Sequence, residues 1–309
     1  MINRVPSYLK SGDKVAICAT ARWLERGEER EAVELLTSAG FQVEVFPEVF
    51  EKDGQLAGSD EVRAKSLQTA LDDSSCRAIL IARGGYGTAR ILEHLIFSKW
   101  LENPSWICGY SDITALLGHI ENLGVAGIHS TMPISFPVAT SIAKSQLVSA
   151  LKGELKTIEW QGAENVESID IQGKLVGGNL SVLYSVLGSV SFPELKEAIL
   201  FIEDVDEMVY HIDRMLLGLR RAGVLKGLKA VVVGGMTQMR DNTIEYGFKT
   251  DNPFGLSVEE VVERWGKELG IPVIWGFPAG HQNDNRAFYC GRNVSIQGKS
   301  GHFVLNFLD

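Results

Sequence analysis

Over residues 14–122, short apolar runs alternate with stretches of helical periodicity, and few architectures accept that order. Lys14–Ala19 reads as a strand, Glu25–Ala39 as a helix stopped by Gly40, and Gln42–Val45 as a second strand. Asp60–Leu71 reads as a helix capped by Ser59 or Asp60, Ala78–Ala82 as an apolar strand, and Thr88–Leu95 as another helix. Trp106–Cys108 and Thr114–Asn122 repeat the pair. Strands interleaved with helices give a parallel sheet covered on both faces. In such sheets, ligands gather at the carboxyl ends of the strands.

The pattern changes after about Pro137. Ser141 to Ile169 holds one amphipathic helix and then polar, irregular sequence. This places an N-terminal α/β domain at 1–140, a linker region at 141–169 and a C-terminal domain at 170–309. The second half mixes types: strands at Gly173–Val176, Ala198–Ile202, Lys229–Val233 and Pro272–Trp275, and helices at Asn179–Leu187, His211–Ala222 and Ser257–Leu269. Asn293–Gln297 and His302–Phe307 alternate like a hairpin turning at Gly298–Gly301.

Charge and cysteine usage remove several function classes. With 30 basic and 39 acidic side chains, the net charge is −9. A binder of phosphate backbones needs concentrated Lys and Arg, so no nucleic acid partner is expected. No apolar run approaches the ~20 residues of a membrane span. Cys18, Cys76, Cys108 and Cys290 lie far apart with no zinc-type spacing, which suits a soluble protein of the reducing cytoplasm with no metal and no cofactor.

Four segments could carry chemistry. G-Y-S-D-I (109–113) follows a strand and approaches the G-x-S-x-G pattern that exposes a nucleophilic serine, but Ile113 stands where the last glycine should be. The plainer reading is that Ser111 or Asp112 caps the next helix. A-R-G-G-Y-G-T-A-R (82–90) offers backbone N–H groups to an anion, with Arg83 or Arg90 supplying charge; it also reads as a tight turn before a helix. It lacks the third glycine of a dinucleotide fingerprint and any Walker A ending. L-F-I-E-D-V-D-E (200–207) brings carboxylates to a strand end, where one could orient a histidine; a solvated acidic loop is equally open, and a metal site would have to recruit Asp204, His211 and Asp213. G-F-P-A-G-H (276–281) puts His281 in a loop after a strand, a fitting place for a general base, with His129 its main competitor.

These segments, with L-A-G-S-D-E-V-R (56–63) and G-G-N-L-S (177–181), occur in an order that resembles the LD-carboxypeptidase family of serine peptidases. That family also includes the microcin-C immunity peptidases. The resemblance implies Ser111 as nucleophile, Glu203 and His281 completing a triad, and the N–H groups of Gly85 and Asp112 as oxyanion donors. It implies a flavodoxin-like parallel-sheet domain followed by a smaller β-rich α/β domain, and a homodimer. The implied substrate is a small peptide, a murein tetrapeptide losing its terminal D-alanine. Arg83 or Arg90 could meet the substrate carboxylate. Two other readings stay open: an immunity-type peptidase cleaving acyl-adenylate analogues, with Trp160 stacking the base, and a non-catalytic binder of nucleotide or peptide. Two features depart from the family pattern: A-T-A-R (19–22) where Pro-Ser is frequent, and an insert-like segment at 240–255.

Overall fold

The computed structural model describes residues 4–162 and 168–308. The first half runs β1 (Lys14–Cys18), α1 (Arg30–Ser38), β2 (Gln42–Val45), α2 (Asp60–Asp72), β3 (Cys76–Ile81), α3 (Thr88–Ile91), β4 (Trp106–Gly109), α4 (Thr114–Asn122), β5 (Gly127–His129) and α5 (Ser141–Lys152). The chain continues with β6 (Thr157–Gln161), β7 (Ile169–Asn179), α6 (Leu180–Ser185), β8 (Ala198–Val205), α7 (Val209–Arg221) and β9 (Ala230–Thr237). It ends with α8 (Val258–Leu269), β10 (Val273–Ile274), β11 (Phe288–Cys290), β12 (Asn293–Lys299) and β13 (His302–Phe307).

The chain divides into two compact units. The first reaches Lys156 and reclaims Val190–Phe192 and Asn283–Gly291. Among the described residues its sheet has the order β11-β5-β4-β3-β1-β2. The run β2-β1-β3-β4-β5 is parallel and flavodoxin-like, with its switch point between β1 and β3. β3 and β4 are almost wholly buried, which is why they read as unbroken apolar runs. The loops after β1, β3 and β4 therefore leave from one edge of the sheet. Two helices are shorter than their periodicity predicts: a turn occupies residues 26–29 before α1, and α3 passes into a 3-10 turn at Leu92–His94.

The second unit begins at Thr157 and holds Pro193–Gln282 and the stretch from Arg292 onward. Its sheet has the order β10-β9-β8-β7-β12-β13-β6 among the described residues. β7 to β10 pair in parallel; β12, β13 and β6 add an antiparallel half, including the expected hairpin with Lys299 opposite His302. Helix α8 starts on a reciprocal Ser257–Glu260 capping box, which satisfies two otherwise unpaired backbone donors. The 240–255 segment follows β9 and is mostly exposed; the Asp241 carboxylate closes it by accepting the Phe254 N–H.

The units differ from the domain limits expected above. Residues 141–169 are not simply a linker: α5, capped by the Thr140 hydroxyl, belongs to the first unit, and β6 pairs with β13 in the second. Residues 163–167 of that stretch lie outside the described residues. Nor do residues 170–309 form one body, because β11 pairs antiparallel with β5, Phe288 opposite His129 and Cys290 opposite Gly127. Tyr289 fixes this return by donating its hydroxyl to the Ala150 carbonyl at 2.8 Å. All four cysteines are buried and none is in a disulfide, and no helix of the described residues is long and apolar enough to cross a membrane.

Candidate active site

Ser111 sits just past the end of β4 with φ at 63°, a left-handed backbone that costs a residue with a Cβ about 1–3 kcal/mol. A 3-10 turn at Ser111–Ile113 then leads into α4, and neither Ser111 nor Asp112 caps these helical turns with its side chain. The capping reading therefore fails, and the strained serine stands without a structural task of that kind. Ile113, the residue that spoils the glycine pattern, is wholly buried in the core.

The turn after β3 packs against this serine. A Cβ on Gly84 would lie 3.1 Å from the Ser111 Cβ and 3.2 Å from its Oγ. Gly85 has φ at 106°, which favours glycine, and among the described residues no acceptor takes its N–H. Asp112 bridges the two motifs: its buried carboxylate accepts the Thr88 N–H at 2.8 Å, at the start of α3. Burial raises the Asp112 pKa, against the pull of Thr88, Arg63 and Arg22. Arg63, fully buried, holds the turn from behind. Its guanidinium donates to the carbonyls of Thr20 (2.7 Å), Gly87 (3.0 Å) and Gly58 (3.3 Å) and pairs with Asp60.

In the second unit, β8 carries Glu203 to full burial. Its Oε2 accepts hydrogen bonds from His281 twice, from Nδ1 at 2.6 Å and from the backbone N–H at 3.0 Å. Thr237 holds the same residue by donating its hydroxyl to the His281 carbonyl at 2.9 Å. Burial by itself lowers the imidazole pKa. The bond to Glu203 and the charges of Glu203 and Asp204 outweigh burial and raise the pKa above its ordinary 6.5. The Nδ1 bond to the carboxylate fixes which ring nitrogen faces Glu203 and turns Nε2 to the opposite side of the ring. Neighbouring Asp204 is buried too and points elsewhere, to Asn179 Nδ2 and the N–H groups of Ser181 and Val205, all at 2.9 Å. Burial, then the Glu203 charge, pushes its carboxyl up to about 6 against those bonds.

The remaining candidates take other parts. Arg90 forks onto Asp60 (Nε–Oδ1 3.0 Å, Nη2–Oδ2 2.5 Å), and Arg83 donates to the Trp23 carbonyl at 3.1 Å. His129 is buried, stacked on Phe288 at 4.6 Å with Nε2 3.1 Å from Asn285 Oδ1. His211 pairs with Glu207, and Asp213 accepts from Arg264 and Trp265, so neither joins Asp204 around a metal. Trp160 is core: it stacks on Phe303, meets Phe277 edge-on and donates to the Trp275 carbonyl. Sequence reasoning passed over Arg63, whose signal was its place on the buried stripe of α2 with Ala64, Leu67 and Leu71.

Family models for the LD-carboxypeptidase N-terminal and C-terminal domains match residues 15–130 and 172–296. The chain belongs to the LD-carboxypeptidase family. Within that family, it is 31% identical to the "Probable murein peptide carboxypeptidase" of Bacillus subtilis over 96% of this chain and 92% of the relative. The crystal structure of muramoyltetrapeptide carboxypeptidase from Oxalobacter formigenes matches with a TM-score of 0.84 at 26% identity, covering 95% of this chain and 99% of that one. The microcin C7 self immunity protein MccF, solved with aspartyl sulfamoyl adenosine, also reaches 0.84, at 19% identity over 98% of both chains. At that identity the likeness is one of fold.

Proposed function

We propose that this protein is a serine LD-carboxypeptidase that releases the terminal D-alanine of murein tetrapeptides. The observation that carries the proposal is the left-handed Ser111 at the end of β4, set against the Gly84–Gly85 turn. Strain of this kind clusters at functional sites. The His281–Glu203 bond supplies the second half of the argument, since a buried carboxylate on Nδ1 fixes the tautomer whose Nε2 accepts a proton.

In this mechanism His281 takes the Ser111 proton as Oγ attacks the carbonyl between the L-configured diamino acid centre and D-alanine. The N–H groups of Gly85 and Asp112 receive the oxyanion, each worth on the order of 3 kcal/mol. His281 then protonates the leaving amine, D-alanine departs, and water cleaves the acyl-enzyme by the reverse proton path. Glu203 stabilises the imidazolium that forms in between. As part of the same proposal the enzyme is a cytoplasmic homodimer; four buried cysteines with no disulfide suit a reducing compartment. The acyl-adenylate reading depended on Trp160 as a stacking platform, and that ring is enclosed in the core.

The test is Ser111→Ala. Its circular dichroism and melting curve should match the parent, while D-alanine release from a murein tetrapeptide falls by on the order of 10⁶-fold. Turnover retained by a folded Ser111→Ala protein would overturn the proposal.

A further inference from the structure

A carboxypeptidase must tell a chain end from an internal bond, and what marks the end is a free carboxylate. Bringing that group out of water requires a cation or N–H donors. Around the Gly84–Gly85 turn most arginines are already engaged. Arg63 spends its guanidinium on three carbonyls and Asp60, Arg90 is forked onto Asp60, and Arg83 bonds the Trp23 carbonyl.

Arg22 is different. It lies in the loop after β1, on the other side of the switch point from the turn after β3, and its N–H reaches the Gly84 carbonyl at 3.4 Å. Its Nε is buried with no hydrogen-bond partner. The side chain lies flat on Gly85: a Cβ there would come within 2.5 Å of Arg22 Nε, 2.6 Å of Cδ and 3.0 Å of Cγ. The guanidinium is also close enough for its charge to act on the buried Asp112 carboxylate. Thus Gly84 touches the serine and Gly85 touches the arginine, one residue apart. In a substrate losing one amino acid, the attacked carbonyl and the terminal carboxylate are also one residue apart.

We infer that Arg22 receives the free carboxylate of the substrate's terminal residue and so restricts the enzyme to the last peptide bond. The inference rests on the LD-carboxypeptidase reading. It gives the A-T-A-R departure at 19–22 a role as the specificity-determining element of this chain. The glycine at 85 then has two functions: it leaves an N–H for the oxyanion and makes room for the arginine stem.

The experiment compares a murein tetrapeptide ending in D-alanine with the same peptide ending in D-alaninamide, for the parent protein, Arg22→Met and Arg22→Lys. The parent should prefer the acid in kcat/KM. Arg22→Met should lose about 10- to 100-fold of that preference, chiefly through KM for the acid, as expected for one charge-assisted contact. Arg22→Lys should restore part of it. Equal losses on both peptides, or an unchanged preference, would overturn the inference while leaving the peptidase reading intact. If the parent protein released no D-alanine from the tetrapeptide, the peptidase reading would fall and this inference with it.

Discussion

Glu203 holds His281 by both ends of the residue, one carboxylate oxygen accepting from the imidazole Nδ1 and from the backbone N–H. Orientation and protonation of the ring are thereby tied to one buried group. The raised imidazole pKa follows, and so does a pH dependence.

In the proposed mechanism His281 is the general base and must be neutral, so the acid limb of kcat/KM should lie above 6.5. In Glu203→Gln the main influence raising the pKa is gone while burial remains, so the limb should move to lower pH. Turnover at the plateau should fall about a thousandfold or more, as when a triad acid is neutralised. The stability sign is separate. A folded-state pKa raised above the unfolded value adds stability that is fully present below about pH 6.5 and lost as pH rises through the folded value. Urea melts of parent and variant across pH 5 to 9 should therefore converge toward alkaline pH.

Gly280→Ala should damage the same pair without touching either member. Gly280 has φ at 102°, and a Cβ there would lie 2.7 Å from the Glu203 Cβ. Strain and overpacking together should cost about 2–4 kcal/mol, read from denaturant unfolding. A change below 0.5 kcal/mol would contradict the tight approach.

Arg63→Met keeps most of the side-chain volume and removes every donor. The Thr20, Gly58 and Gly87 carbonyls and the Asp60 carboxylate then lose a buried partner. The expected loss is on the order of 3 kcal/mol. Because those carbonyls brace the turn beside Ser111, kcat should fall more than KM rises.

Trp160→Phe tests the acyl-adenylate alternative. The smaller ring keeps the stack on Phe303 and loses the bond to Trp275, so stability should drop by about 1 kcal/mol. D-alanine release should be unaffected. A selective loss of nucleotide-containing substrates would restore Trp160 as a recognition residue.

Much of the fold was legible because β1, β3, β4 and β8 each contain a run of consecutive apolar residues, and burial on both faces leaves that mark on sequence. β5 and β11 were not, because three residues carry no period and their pairing joins distant parts of the chain. The same distance concealed the division into units. At the candidate site, residue types at strand ends pointed to Ser111, Glu203 and His281, but a backbone angle has no composition, so capping and nucleophile readings of Ser111 could not be separated. Arg90 looked available from sequence. Its partner Asp60 lies 30 positions away in a helix whose amphipathic pattern gave no hint of the pairing.

The strand at Phe288–Cys290 sets an order of events on the ribosome. Until it has been translated, β5 keeps a bare edge, the kind that recruits strands from other chains. The serine's own sheet thus closes only after the codons for Glu203 and His281 have been read. A product terminated before Phe288 would carry a sheet with β5 as a bare edge, so Ser111 would sit in an unfinished scaffold.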